Sequence, residues 1–203
     1  MKSLFINTSS FFMSVAILDD NKVLFKMEEE IRVDMASKIV PYIELSFDNV
    51  SFDIEDIDKI FVVTGPGSFT GVRVGVTAAK TIAWALNKKI IPISSLEFIA
   101  TTTIEKEYRI PAIDARRGFV YAGVYDNELN SILDDCYIKL EDLNQYLEKG
   151  TIISYDDIEG SIKPNTDISK IVKLHSMDKD INPHEIKPNY LKLTEAEENK
   201  KNG

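Results

Sequence analysis

A single cysteine, Cys136, in a chain of 203 residues excludes any disulfide within it, and a thiol in a strand-like run reads as buried and inert. Histidine is nearly as scarce. His175 and His184 stand nine apart beside Pro183, which is not the i, i+4 spacing by which a helix presents two imidazoles to one metal ion. No metal site and no Ser-His-Asp constellation is therefore expected. Long apolar runs are missing too: Phe11 to Leu18 is interrupted by Ser14 and followed by Asp19-Asp20, the length of a strand and far short of a membrane span. No apolar segment with a small-residue cleavage site opens the chain, so a cytoplasmic protein without membrane association is expected. Positive charge is also in short supply, with 24 Lys and Arg against 33 Asp and Glu, a formal net charge of -9. Such a chain is poorly suited to hold nucleic acid by itself, because phosphate binding relies on clustered cations; an acidic surface favours protein or cation partners. What is present is core material, with 44% apolar residues, enough for one large domain or two small ones.

The chain opens as three short strands, SLFINTS, FMSVAIL and KVLFKMEE, the last two joined at Asp19-Asp20-Asn21-Lys22. From Asp34 the spacing turns helical, with Met35, Ile39 and Ile43 on one line and Ala36, Val40 and Phe47 on the next, and Pro41 predicts a kink or a late start. KIFVVTG from Lys59 reads as a buried strand, followed by a helix from near Thr70, a strand KIIPIS, and a helix from Ser94 to Ile104 capped by Ser94 or Ser95. RIPAIDA, FVYAGVYD and SILDDCYIKL then repeat the opening pattern, with Arg116-Arg117-Gly118 turning the first pair and a helix-like Glu141 to Glu148 after them. This is an architectural echo and not a sequence repeat. It divides the chain into a lobe at 1–105 and a smaller one at 106–203, whose tail after an anchor at Tyr190, Leu191 and Leu193 is expected to fray.

The densest feature is GPGSFTGVRVGVTAAKTIAWAL, Gly65 to Leu86. It is not a Walker loop, since Val72-Arg73 follow Gly71 where Lys-Ser/Thr should close, and a dinucleotide fingerprint would want Gly at Thr70. Gly71, Gly75, Ala79 and Ala83 recur every fourth residue and so share one helix face nearly free of side chains, flanked by Val72, Val76, Ile82 and Leu86. Small residues at this spacing let another backbone approach closely, and spacing alone serves equally to pack the chain's own sheet or to seat a partner. Arg73 and Lys80 lie on other lines of the helix and read as solvated. Carboxylate doublets such as Asp134-Asp135 and Asp156-Asp157 point to opposite strand faces and are assigned no chemistry. Asp114 and Arg116 at a strand end form either a local ion pair or a reach across a cleft.

INTSSFFMSVAIL, VVTGPGSFTGVRVGVTAAKTIAWAL, IPISSLE, DARRGFVYAGVY and PNYLKLTEAE together resemble the TsaB (YeaZ) family. The resemblance implies the actin-like ATPase (ASKHA) superfold, α/β, with two lobes each on a mixed five-stranded sheet. It implies a non-catalytic partner of a TsaD-like catalytic subunit in bacterial synthesis of threonylcarbamoyladenosine in tRNA, with a TsaE-like ATPase completing the complex and tRNA met only through it. Pairing would use two helices, through Met35, Ile39, Tyr42 and Ile43 of the first and Gly71, Val72, Gly75, Val76, Ala79 and Ala83 of the second. Alone, the same surface would form a homodimer. No cofactor of its own is implied, while an adenine nucleotide at the subunit interface stays open. Where catalytic members of the superfold need an acid in the first strand turn, this chain has Asn7, which reads as a partner of its own turn. Family members often carry Asp there, and Glu where this chain has Phe119. The alternative is an autonomous ATPase or small-molecule kinase. It would hold its nucleotide in an interlobe cleft drawn from Asn7, Thr8, Ser9, Gly65, Gly67, Ser68, Thr70, Arg73, Asp114 and Arg116.

Overall fold

The computed structural model describes residues 1–191, so Leu193 and the tail expected to fray lie outside the described residues. Strands β1 (Lys2–Asn7), β2 (Phe12–Asp19) and β3 (Lys22–Glu30) are antiparallel, and β4 (Lys59–Gly65) and β5 (Lys89–Ser94) continue the sheet parallel to β1 in the order β3-β2-β1-β4-β5. The inner strands β1, β2 and β4 are buried along nearly their whole length, as strands covered on both faces require. Edge strand β3 instead alternates, turning Lys22, Lys26, Glu28 and Glu30 outward, which discourages pairing with another edge.

Helices α1 (Met35–Asp48) and α2 (Phe69–Ala85) cover one face, where Ile39, Ile43, Val72, Val76 and Ala79 meet Leu4, Ile6, Val15 and Val62. The other face is covered by α3 (Ser95–Ala100) and α4 (Ile168–Leu174), whose Phe98, Ile168, Ile171 and Val172 pack on Phe5, Phe61, Val63 and Ile93. The second sheet holds β6 (Tyr108–Asp114), β7 (Phe119–Tyr125), β8 (Ser131–Lys139) and β9 (Gly150–Ile153) in the order β8-β7-β6-β9, antiparallel except for the β6 and β9 pair. Its order repeats β3-β2-β1-β4, so the echo in the sequence is a duplicated architecture. Among the described residues this sheet has four strands, not the five expected. After β9 the chain bridges Ile162 to Ile153 and leaves the lobe instead of adding another strand.

That departure also moves the expected lobe boundary. Residues from Ile168 pack on the first sheet, Ile181 donates to Ile90 O at 3.0 Å, and Asn189 donates to Thr64 O at 2.7 Å. The helix expected to reach Ile104 stops at Ala100, because Thr101 Oγ1 turns back to Phe98 O at 2.6 Å and accepts from the Asp167 N–H at 2.7 Å. The 141–148 segment forms a 3₁₀ helix over Leu140–Tyr146, and α1 runs through Pro41 without a late start. Among the described residues no helix is long and apolar enough to cross a membrane.

Candidate functional site

The small-residue stripe of α2 packs against the chain's own first sheet, which corrects its assignment to a partner. Gly71, Val72, Gly75, Val76, Ala79 and Ala83 are all buried in the first lobe. A methyl on Gly71 would lie 2.2 Å from Thr8 O, and one on Gly75 would lie 2.2 Å from Thr8 Oγ1. The seam is closed by Thr8 Oγ1, which donates to Gly71 O at 2.8 Å, and by the Ser68 N–H, which donates to Ser9 O at 2.7 Å. On α1, Ile43 is likewise in the core and Tyr42 turns to β3, donating to Glu29. The glycines serve close approach, as their spacing requires, but the backbone they admit is the end of β1.

Between the lobes lies a cleft of about 510 Å³, lined by Asn7, Ser9, Gly67, Ser68, Thr70 and Gly71 on one side and by Asp114, Tyr121, Tyr155 and Asp156 on the other. Six of the ten expected cleft residues therefore come together. Thr8 supports the cleft from below through Gly71; Gly65, at φ +107°, packs on Asn189 O; and Arg73 points away. Asn7 is 2% exposed, and its Oδ1 accepts from the Ser9 N–H at 3.0 Å and from Ser9 Oγ at 2.8 Å, so it orders the local turn as its residue type predicts. Asp114 and Arg116 form no ion pair among the described residues; Asp114 Oδ1 instead accepts from the Arg116 N–H at 2.8 Å. Met35, expected at a partner surface, lines this cleft instead. The opposite wall, Tyr121, Tyr155 and Asp156, was not legible in advance, because it comes from strands and loops far away in sequence. Burial holds the Tyr155 hydroxyl above its ordinary range. Among the described residues no group of three or more His, Cys, Asp or Glu is placed to hold a metal.

The second feature is an apolar groove of about 560 Å³ on the outer side of the first lobe, between α1 and α2, lined chiefly by Ala36, Val40, Phe69, Val74, Ala78 and Ile82. Of the expected partner residues only Ile39 reaches it, as its floor. Val40 is 53% exposed, Phe69 58% and, further along α2, Trp84 67%. Apolar side chains of this size are thus left in water along two adjacent helices. At one rim the Arg73 guanidinium sits 3.8 Å from the Phe69 ring centre, and Arg73 Nε donates to Tyr190 Oη at 2.9 Å. The signal was present in the sequence, since Val74, Ala78 and Ile82 recur every fourth residue on a line beside the small stripe, with Thr77 and Thr81 beyond them.

Two partly buried polar clusters join the lobes and the returning segment. Asp135 of β8 accepts from Ser94 of β5 and from Tyr125 of β7; burial raises its carboxyl, and those two hydrogen bonds only partly oppose the rise. Desolvation likewise pushes the Tyr125 hydroxyl up. His175, following α4, bonds Glu97 of α3 at 2.8 Å and Asp178 at 2.6 Å. Burial works against its charged form, but the two carboxylates outweigh burial and raise its affinity for a proton.

With this geometry in view, the chain can be set beside known proteins. Residues 30–181 match the family model described as TsaD: tRNA N6-adenosine threonylcarbamoyltransferase. The chain is 30% identical to the tRNA threonylcarbamoyladenosine biosynthesis protein TsaB of Bacillus subtilis over 97% of its own length and 96% of that protein's. A relative of the same name from Buchnera aphidicola is 27% identical, covering 91% of this chain and 80% of that one. Among solved structures, YeaZ from Pseudomonas aeruginosa superposes with a TM-score of 0.74 at 21% identity, covering 94% of this chain and 99% of that one, and so shares the fold.

Proposed function

The chain belongs to the TsaB (YeaZ) family, and from that premise we propose that it acts in tRNA threonylcarbamoyladenosine synthesis as a non-catalytic subunit that docks on and supports a TsaD-like catalytic subunit. The observation that carries the proposal is the exposed apolar groove between α1 and α2. A partner helix laid along Val40, Phe69, Val74 and Ala78 would remove these side chains from water, and Arg73 with Phe69 and Tyr190 supplies the aromatic and arginine anchor typical of an interface hot spot. In the absence of that partner the same groove pairs two copies of this chain, and a TsaE-like ATPase completes the assembly. The cleft supports a non-catalytic role. Where phosphoryl transfer needs an acid to balance metal and phosphate charge, Asn7 is committed to Ser9. An adenine nucleotide in the assembly would be held at the subunit interface.

The test is size-exclusion chromatography with light scattering on the chain mixed with the TsaD-like protein of the same organism. Wild type gives a mixed complex. Thr77→Arg and Val40→Asp, both at exposed groove positions, leave the thermal unfolding of the isolated chain unchanged but weaken pairing by about a hundredfold or more, the cost of burying an unpaired charge. A mixed complex of full strength with both variants, or none with wild type, overturns the proposal.

A further inference from the structure

The turn between β6 and β7 belongs neither to the groove nor to the cleft floor. Arg116, Arg117 and Gly118 take three successive left-handed conformations, with φ of 69°, 56° and 77°, a backbone that L side chains disfavour. The turn is nevertheless firmly held. Asp114 Oδ1 accepts from the Arg116 N–H at 2.8 Å, Asp156 Oδ2 accepts from the Asp114 N–H at 2.8 Å, and the N–H groups of Ala115 and Phe119 donate to Phe119 O and Arg116 O. Both arginine side chains are exposed, and neither guanidinium forms an ion pair among the described residues. The carboxylates nearby are already engaged, Asp114 and Asp156 by main-chain N–H groups and Glu141 by Lys139, so the two arginines are the charges of this edge left without a carboxylate partner among the described residues.

Beside them is a recess of about 530 Å³ lined by Arg117, Phe119, Lys139, Glu141 and Asn144, in which Lys139 Nζ meets Glu141 at 3.1 Å. An aromatic row starts at this recess. Phe119 stacks on Tyr137 with ring centres 4.8 Å apart and planes 9° from parallel, and Tyr137 meets Tyr121 at 5.6 Å. All three rings are partly exposed, and Tyr121 carries the row to the cleft wall.

We propose that this turn and its aromatic row form an RNA-contact site, which takes phosphates and an unstacked base of a single-stranded RNA loop. Guanidinium forks match phosphate oxygens two at a time, and planar rings stack bases without regard to sequence. The acidic remainder of the surface repels RNA and so directs it to this edge. The inference rests on the reading that the chain works in a tRNA-modifying complex, and it adds a direct RNA contact to that reading. The site shares no residue with the α1 and α2 groove.

The experiment measures binding of a labelled, unmodified tRNA transcript by fluorescence anisotropy across a salt series. Both the chain alone and its mixture with the TsaD-like subunit are assayed, while light scattering on the same mixtures reports pairing. Replacing both arginines, Arg116→Gln with Arg117→Gln, removes two phosphate contacts; the slope of log K against log salt falls by about 1.4 and affinity drops about 25-fold at ~0.1 M salt. Tyr137→Leu lowers affinity at least about fivefold and leaves the slope unchanged. If pairing fails, the docking proposal falls, and the RNA measurement on the isolated chain still decides this one. Wild-type affinity and slope in the double variant, or no RNA binding by wild type in either arm, overturns the site.

Discussion

Replacing Gly71 by Ala tests where the small-residue face of α2 packs. An alanine methyl there would sit 2.2 Å from the main-chain oxygen of Thr8, so α2 and the end of β1 must separate by about 1 Å or more to reach a van der Waals distance. Thr8 cannot yield easily, since it follows β1 directly and its hydroxyl is bonded to Gly71 O. Helix propensity alone favours Ala by about 1 kcal/mol. Against it stand overpacking at about 1–3 kcal/mol and a buried hydroxyl losing its acceptor at about 1–3 kcal/mol. The net expectation is a destabilisation of about 1–5 kcal/mol centred near 3, which at the centre lowers the melting temperature by about 6–12 °C for a chain of this size. Gly75→Ala would press on the Thr8 hydroxyl at 2.2 Å and so threaten the same hydrogen bond, but it meets no main-chain atom that closely and should cost less, while Gly118→Ala, with no atom within 4 Å, carries only the cost of its φ of +77°. Circular dichroism melts of the isolated chain read all three. Gly71→Ala melting with wild type while losing its partner would refute the packing argument and return the stripe to the subunit interface.

Phe69→Ala should weaken pairing with the TsaD-like subunit by about thirtyfold, as expected for an aromatic hot spot, without lowering the melting temperature; unchanged affinity in a titration would remove Phe69 from the interface. Trp84 is the only tryptophan and is 67% exposed on the same side of α2, so its emission should shift to the blue when partner is added. Asn7→Asp should keep the Ser9 turn, because a carboxylate accepts the same two hydrogen bonds, and should give no ATP hydrolysis by the isolated chain; turnover above wild type would revive the kinase-like reading. His175 binds its proton more tightly folded than its ordinary value of 6.5, so its contribution to stability is full below that pH and is lost as pH rises through the raised value. His175→Gln should therefore lower the melting temperature more at acid than at alkaline pH, and an equal loss at both would show that Glu97 and Asp178 hold a neutral ring.

Much of the first lobe was legible because its signals are local. KIFVVTG has to be a strand covered on both faces, and Asp19-Asp20-Asn21-Lys22 has to turn a hairpin. The second lobe was harder. Strand β9 is only four residues long, and its pairing with β6 is parallel and distant in sequence, so it leaves no periodic mark. Helix α4 has seven residues, and its docking on the first sheet depends on Phe5, Phe61 and Phe98, which the segment itself cannot reveal.

The sequence by itself determined the family, the repeated strand pattern, the turn made by Asn7 and the close approach that the α2 glycines demand, because each follows from residue type and spacing within a short span. Only the tertiary structure decided what comes close. Spacing shows that a face is small but not which backbone fills it, and in the folded chain that backbone is Thr8 of its own first lobe. The surface left for a partner is consequently a neighbouring side of the same helix, where Phe69 is exposed and Val74 and Ala78, packed on the core from below, turn their outer surface to the groove.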